Sequence, residues 1–301
     1  MNYRTSETHP LRLDVLPSGL LPAPGRLGLT FAPGKKAPGL DGFWRRDLRM
    51  DLRRLREVYD VGVTVSLLDE HELKTLGIED YQEEIRGFRT LELRTFPIPD
   101  GGVPRDVDEV RALVGWILER LGDGKHVAVH CRGGLGRSGL VAACCLVGVG
   151  VAPDAAIREV RLVRPGAIET PAQEAFVENF SRHGVARRDS WKIKPMPKAR
   201  ARLDVSAQFT RGKLLHLRLG RVPGEMEEKW FAFVEGDWIY LHRSWTGFCI
   251  YAARLELRGD VHQIVEAWVN RDTNQYQGKD DEEDQQMLVN LIHAVMLGRP
   301  W

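Results

Sequence analysis

The stretch HVAVHCRGGLGRSG at residues 126–139 runs from an apolar, β-branched segment straight into glycines and arginines. Its first six residues are typical of a central strand that is buried on both faces. Between Cys131 and Ser138 the chain carries three glycines and two arginines, which the packing of a buried cysteine does not require. We therefore interpret the stretch as a strand followed by a loop that binds an anion.

The five residues between Cys131 and Arg137 have the composition of a phosphate-binding loop. Their glycines let successive backbone N–H groups point inward around a phosphate-sized hole, and a helix predicted to begin near Ser138 adds its positive end. Such surroundings favour the thiolate of Cys131, which is the nucleophilic form. The planar guanidinium group of Arg137 can hold two phosphate oxygens. The predicted phosphate-binding residues are Arg132, Gly133, Gly134, Leu135, Gly136 and Arg137.

Three further residues are candidates for the same chemistry. Ser138 can hydrogen-bond the sulfur of Cys131 or serve only as a helix N-cap, and both readings stay open. We interpret His130 as a residue that organises the loop rather than as a proton donor. Phosphoryl transfer needs a proton for the departing oxygen, and Asp100 in FPIPDGGVP (residues 96–104) offers a carboxyl group just after a predicted strand. An aspartate before two glycines is by itself typical of a turn. Its place ahead of the cysteine loop makes Asp100 a candidate general acid.

Over residues 1–185, short apolar runs alternate with amphipathic segments, which predicts a mostly parallel central sheet flanked by helices. The predicted strands are residues 61–68, 91–98 and 126–131. The predicted helices cover residues 107–121 and 153–164, with others beginning near Ser138 and after Thr170. Thr170, Pro171 and Gln173 form a capping-box pattern. The fold class is therefore α/β for this domain.

The remaining residues have a different character. Residues 186–202 are basic and contain two prolines, which predicts an extended linker. Residues 203–301 predict a small α+β domain of unknown role, with KLLHLRLGRV (213–222) read as a strand and VEGDW (234–238) as a hairpin turn. A final helix is expected behind the acidic residues 280–284. The aromatic residues of this domain fill a sheet core or form a surface for a partner or a nucleotide-type ligand.

Composition limits the possible partners and compartment. Lys and Arg total 43 against 42 for Asp and Glu, so a net charge of +1 provides no general attraction to nucleic acid or to an anionic membrane. The apolar residues 139–152 are too few to span a bilayer, and no secretory signal is evident at the start. The four cysteines show no metal-type or disulfide-type spacing. We expect a soluble cytoplasmic protein.

HCRGGLGRSG (130–139), together with FPIPDGGVP and RPGAIETPAQEAFV (164–177), resembles the cysteine-dependent protein tyrosine and dual-specificity phosphatases, in particular the kinase-associated phosphatase branch. The resemblance extends over about residues 10–183. It implies that Cys131 is the nucleophile, Arg137 the phosphate clamp, Ser138 the donor to the leaving thiolate and Asp100 the general acid, without a metal or cofactor. Gln173 falls where some relatives orient the hydrolytic water. The capping box is the competing reading for that residue.

The substrate class follows from what the loop contains. The loop of residues 132–136 lacks the two lysines expected of a phosphoinositide phosphatase. The sequence also contains no evident aromatic-rich recognition segment of the kind that deepens a phosphotyrosine pocket. Both observations favour a shallow pocket for phosphotyrosine and phosphoserine or phosphothreonine in proteins. Two alternatives stay open. The substrate could instead be a nucleotide or an RNA-end phosphate, or the chain could bind phosphoproteins without turning them over.

Overall fold

The computed structural model of the chain describes residues 3–39, 42–225, 227–278 and 280–298. In chain order the strands are β1 (Tyr3–Arg4), β2 (Asp14–Val15), β3 (Leu27–Phe31), β4 (Lys36–Gly39), β5 (Gly42–Arg45), β6 (Val61–Ser66), β7 (Glu92–Thr95), β8 (His126–Cys131), β9 (Arg200–Leu203), β10 (Gln208–Thr210), β11 (Trp230–Glu235), β12 (Trp238–Arg243), β13 (Cys249–Arg258) and β14 (Val261–Asn270). The helices are α1 (Leu48–Glu57), α2 (Glu70–Thr75), α3 (Tyr81–Gly87), α4 (Val107–Gly122), α5 (Gly136–Gly148), α6 (Pro153–Val163), α7 (Pro171–His183), α8 (Arg211–Leu217) and α9 (Asp281–Leu291), followed by a π-helical turn, Ile292–Met296.

The chain forms two units. One comprises Met1–Asp106 and Asp123–Glu178, and the other comprises Val107–Gly122 and Asn179–Trp301. The second unit thus takes α4 from the middle of the segment that we predicted as the first domain. The predicted domains of residues 1–185 and 203–301, with a linker between them, stay a prediction.

The first unit contains the expected mostly parallel sheet. Its strand order is β2-β3-β8-β6-β7, with β2 antiparallel to β3 and every other pair parallel. The central strand β8 is buried along its length after His126, as its apolar composition predicted. Because parallel strands end at the same edge of a sheet, the loops that follow β6, β7 and β8 converge there. That edge carries the predicted cysteine loop.

A smaller sheet in the same unit was not predicted from the sequence. Its order is β1-β5-β4, and its strands are two to four residues long. Strands this short carry too few residues for a period-two pattern to be recognised.

The second unit is built on an antiparallel sheet of order β10-β14-β13-β12-β11, with β9 also paired to β14. The predicted hairpin at VEGDW joins β11 to β12, with Gly236 in the left-handed region at φ +58°. The predicted final helix is α9, and its N-cap, Asp280, accepts hydrogen bonds from two backbone N–H groups. Leucines of α8 and α9 form one buried core with one face of this sheet.

One secondary-structure prediction in this unit was wrong. The segment KLLHLRLGRV, read as a strand, contains the helix α8. Thr210 caps that helix, since its Oγ1 accepts a hydrogen bond from the Lys213 N–H at 3.2 Å. Leu214 and Leu217, three residues apart, then lie on the same helix face in the core. The capping threonine was the local signal that the leucine run obscured.

Within the predicted linker of residues 186–202, residues 186–199 contain no helix or strand, whereas residues 200–202 belong to β9. Residues 186–199 nevertheless pack on their own unit: Trp191 donates its indole N–H to the Ser244 carbonyl at 2.7 Å, and Ile193 contacts a cluster with Phe231 and Phe233.

Within the described part of the chain, no helix combines the length and apolarity needed to cross a bilayer.

Candidate active site

Cys131 is the last residue of β8, and the loop after it leads directly into α5. That helix begins at Gly136, two residues before the predicted start at Ser138. Gly134 has φ +72°, and a Cβ at this position would lie 2.4 Å from the backbone of Thr30. A side chain is therefore excluded where the loop passes over β3.

The sulfur of Cys131 is buried and accepts two hydrogen bonds. The Gly134 N–H lies 3.2 Å from Sγ, and the Ser138 hydroxyl lies 3.1 Å from it. Ser138 lies inside α5 and is not its N-cap, so the capping reading of this residue is wrong. Two donors directed at one sulfur stabilise a thiolate more than a thiol.

Arg137 is also buried, and four groups hold its guanidinium group. Glu72 accepts from it with both carboxylate oxygens, at 2.7 and 2.8 Å, and Asp100 Oδ1 accepts at 2.7 Å. The carbonyl groups of Ile98 and Leu67 accept at 2.8 and 3.4 Å. Burial opposes the charge, but the hydrogen bonds with Glu72 and the proximity of Cys131 raise the pKa of Arg137 above its usual value. The cation is therefore fixed beside the sulfur.

Glu72 was not singled out in the sequence. It lies in the first turn of α2, where it completes a capping box with Asp69. The spacing of these two acidic residues after a predicted strand predicts the start of a helix. It does not predict that the glutamate side chain also contacts Arg137, 65 residues later in the chain.

Asp100 is the exposed member of the site, with 62% of its side chain accessible. Gly101, at φ +67°, turns the chain after it. Gln173, which is fully buried, donates to the Gly102 carbonyl at 3.0 Å and accepts from the Glu169 N–H at 2.9 Å. Gln173 therefore connects the loop of Asp100 to the start of α7.

One of the two hydrogen bonds of the capping box predicted for Thr170 and Gln173 is present. Thr170 Oγ1 accepts from the Gln173 N–H at 3.2 Å. In a complete capping box the Gln173 side chain would also accept from the Thr170 N–H. Here that side chain instead bonds the Glu169 N–H and the Gly102 carbonyl.

His130 precedes Cys131 in β8 and is fully buried. Its Nε2 lies 2.6 Å from the hydroxyl of Tyr81 in α3. Burial lowers the pKa of His130 to about 3, and the same burial raises the pKa of Tyr81. Both groups are neutral at physiological pH, and the organising role of His130 stays a prediction.

Further residues orient the loop, and sequence reasoning missed them. Arg164 donates to the carbonyl groups of Gly133 and Gly134, each at 3.0 Å, and Glu169 accepts from the Gly136 N–H at 2.8 Å. Arg164 thus holds the two carbonyl groups, while the Gly134 N–H faces the sulfur. Both side chains belong to the segment 164–177, in which only Gln173 was predicted to be a site residue.

A lysine adds positive charge near the sulfur. Lys35 Nζ lies 4.5 Å from the ring centre of Phe31 and 4.9 Å from that of Trp44. Burial, with the charges of Arg46 and Arg164, lowers its pKa to about 8, while the nearby Cys131 acts in the opposite direction. Lys35 is thus partly deprotonated just above neutral pH.

A buried thiol with two donors, a fixed guanidinium and an accessible carboxyl group are together able to transfer a phosphoryl group to sulfur and release it to water. The parallel sheet places all three at one edge. Fold and site together define a cysteine-dependent phosphatase.

Comparisons with known proteins lead to the family. A family model described as "Swiss Army Knife protein, DSP-PTPase phosphatase domain" matches residues 46–177. Cyclin-dependent kinase inhibitor 3 of Rattus norvegicus is 33% identical over 179 residues, covering 58% of this chain and 80% of its own length. The protein of the same name in Sus scrofa is 30% identical over 193 residues, with the same two shares.

A solved structure agrees with the sequence relatives. Kinase associated phosphatase, crystallised with serine in place of its catalytic-site cysteine, is similar with a TM-score of 0.51 and 26% identity, over 57% of this chain and 94% of that one. This chain belongs to the cysteine-dependent dual-specificity phosphatases, in the branch of the kinase-associated phosphatase.

Proposed function

We propose that this chain hydrolyses phosphate monoesters on phosphorylated proteins in two steps, with Cys131 as the nucleophile. The thiolate attacks phosphorus, the bond from phosphorus to the substrate oxygen breaks, and Asp100 gives that oxygen a proton. Water then attacks the cysteinyl phosphate, Asp100 takes up a proton from it, and the phosphorus–sulfur bond breaks to return the thiolate. The observation that carries this proposal is the pair of donors at Cys131 Sγ, at 3.1 and 3.2 Å.

The other site residues have roles that follow from their contacts. Ser138 stabilises the thiolate when it leaves in the second step. Arg137 binds two phosphate oxygens, and a bound phosphate takes the place of Asp100 at its Nη2. The freed carboxyl group can then turn to the leaving oxygen. Backbone N–H groups of the loop after Cys131 bind the remaining phosphate oxygens, apart from the Gly136 N–H, which donates to Glu169.

The substrate is expected to be a protein that carries phosphotyrosine, phosphoserine or phosphothreonine. The curated relatives are named for cyclin-dependent kinases, so a phosphorylated kinase is the first protein substrate to test. We place the enzyme in the cytoplasm, which is supported by four unpaired cysteines, Cys131, Cys144, Cys145 and Cys249. No metal or cofactor enters either step.

The test is turnover of p-nitrophenyl phosphate and of matched phosphotyrosine and phosphothreonine peptides, with EDTA present. We expect EDTA-resistant hydrolysis that Cys131→Ser abolishes. Cys145→Ala is the matched control, because this thiol of α5, the helix that follows the cysteine loop, is fully buried and burial raises its pKa. An oligonucleotide with a 5′-phosphate serves as the competing substrate. Faster turnover of the oligonucleotide would overturn the protein substrate, and native protein that binds phosphopeptide without turnover would leave only a binding role.

A further inference from the structure

The antiparallel sheet of the second unit has two different faces. Ile239 and Leu241 of β12 belong to the core that includes leucines of α8 and α9. Side chains alternate along a strand, so Trp238, Tyr240 and His242 lie on the opposite face. That face carries aromatic rings and is covered in part by the irregular residues 188–196.

A cavity of about 450 Å³ lies on this second face. Its floor includes Ala252, which pairs with Tyr240 on one neighbouring strand and with Trp268 on the other. Adjacent strands are about 4.8 Å apart, so the two ring-bearing residues are about 9.6 Å apart at the backbone with only a methyl group between them. A gap of this kind accommodates a flat ring between two aromatic side chains.

His242 supplies a polar group to the same cavity. It is 2% exposed, and its Nδ1 lies 3.0 Å from the Gly247 carbonyl. A carbonyl can only accept, so Nδ1 carries the proton and Nε2 presents a lone pair. Burial lowers the pKa of His242, which keeps the ring neutral. Among the described residues, Nε2 is buried and has no hydrogen-bond partner. A ligand that donates an N–H or O–H would satisfy it.

The cavity also has cationic walls. Lys194 and Arg200 line it, and each lies against an aromatic ring, Phe248 at 4.5 Å and Trp268 at 4.3 Å. Neither cation has a carboxylate partner in the part of the chain that the structure describes. Arg188, by contrast, forms an ion pair with Glu235. Two cations without a carboxylate partner beside an aromatic cavity favour an anionic ligand.

We propose that this cavity is a nucleotide-binding site. The base lies between Tyr240 and Trp268 over Ala252, an N–H of the base or a hydroxyl of the sugar donates to His242 Nε2, and the phosphate is held by Lys194 and Arg200. An apolar ligand would leave the histidine and the cations unmatched, whereas a phosphate without a base would leave the aromatic gap empty. The site is independent of the chemistry at Cys131.

Binding of ADP to the full-length Cys131→Ser chain tests the proposal. Equilibrium dialysis measures affinity, and tryptophan fluorescence reports on the cavity because Trp238 and Trp268 line it. We expect saturable ADP binding, with adenosine and inorganic phosphate each at least about tenfold weaker, since each lacks one set of contacts.

Variants locate the site. Ala252→Leu fills the gap and Arg200→Glu reverses a wall charge, and each should weaken ADP binding by about tenfold or more. Lys198→Glu is the matched control, since this neighbouring exposed lysine does not line the cavity. In a chain with Cys131 retained, all three should hydrolyse p-nitrophenyl phosphate as the native protein does, which shows that the unit with Cys131 folds.

Two outcomes overturn the proposal. One is the absence of saturable ADP binding. The other is ADP binding that Arg137→Met removes and that Arg200→Glu leaves intact, which would place the nucleotide at the cysteine loop. The surface change Arg200→Glu keeps the test decisive even if Ala252→Leu does not fold.

Discussion

Glu72 holds the guanidinium group of Arg137 with both carboxylate oxygens, at 2.7 and 2.8 Å. The two residues lie in the first turns of different helices at the same sheet edge, Glu72 in α2 after β6 and Arg137 in α5 after β8. This bidentate pair fixes the plane of the guanidinium group, and hence the direction in which it can receive a phosphate. Glu72 is therefore a positioning residue for Arg137.

We expect Glu72→Gln to lower kcat/KM for p-nitrophenyl phosphate by about a hundredfold, because a displaced guanidinium group no longer fits the transferring phosphoryl group. Glu70→Gln, an exposed neighbour in the same first turn of α2, should change neither rate nor melting temperature. Steady-state kinetics with thermal melts make the comparison. A Glu72→Gln enzyme with native kinetics would contradict the positioning role.

Asp100→Asn should lower kcat by about 10²- to 10⁴-fold on substrates with a poor leaving group, since the departing oxygen then lacks its proton donor. The loss should be larger for a phosphoserine peptide than for p-nitrophenyl phosphate, whose phenolate leaves without much help. Rates on the two substrates give the ratio directly. Equal losses on both would indicate that Asp100 acts only through its ion pair with Arg137.

Ser138→Ala removes the hydroxyl that lies 3.1 Å from the sulfur. We expect the release of the thiolate to slow by about ten- to a hundredfold, which is the range for a hydrogen bond to a charged group. Stopped-flow kinetics with p-nitrophenyl phosphate should then show a burst of nitrophenol followed by slow turnover. A uniform loss without a burst would assign Ser138 to the first step or to loop structure alone.

Local sequence signals were sufficient for part of the site. Cys131, Ser138 and Arg137 lie within one loop and the start of one helix, so their spacing alone indicates what they share. The resemblance to known phosphatases and the position before the loop added Asp100. The capping-box pattern at Thr170 also marked the start of α7 correctly.

The missed residues act across long separations in the chain. Glu72 contacts Arg137 from 65 residues away, and Arg164 contacts Gly134 from 30 residues away. No local spacing in the sequence predicts contacts over such separations. The helix α8 was missed for a different reason. Its leucines, Leu214 and Leu217, satisfy a buried strand and a buried helix equally well until the packing of the core decides.

Lys35 provides a pH-dependent test of the charge around the sulfur. Its pKa is lowered to about 8, mainly by burial, so the cation is lost as pH rises through that value. We expect KM for a phosphate ester to rise by about fivefold between pH 7 and pH 9, because one attractive charge near the phosphate disappears. Lys35→Arg should flatten this rise, since arginine stays charged throughout.

The same lowered pKa has a consequence for stability. Between pH 8 and the ordinary lysine value of 10.5, the unfolded chain holds a proton that the folded chain has released. The contribution of Lys35 to the free energy of unfolding therefore increases with pH across that window. Urea denaturation at pH 8 and pH 10, compared between native and Lys35→Met chains, measures it: the native chain should gain stability relative to the variant. Two results together would show that Lys35 does not affect the electrostatics of the site. The pH dependence of KM would be identical in the native and Lys35→Arg enzymes, and the native chain would gain no stability relative to Lys35→Met between pH 8 and pH 10.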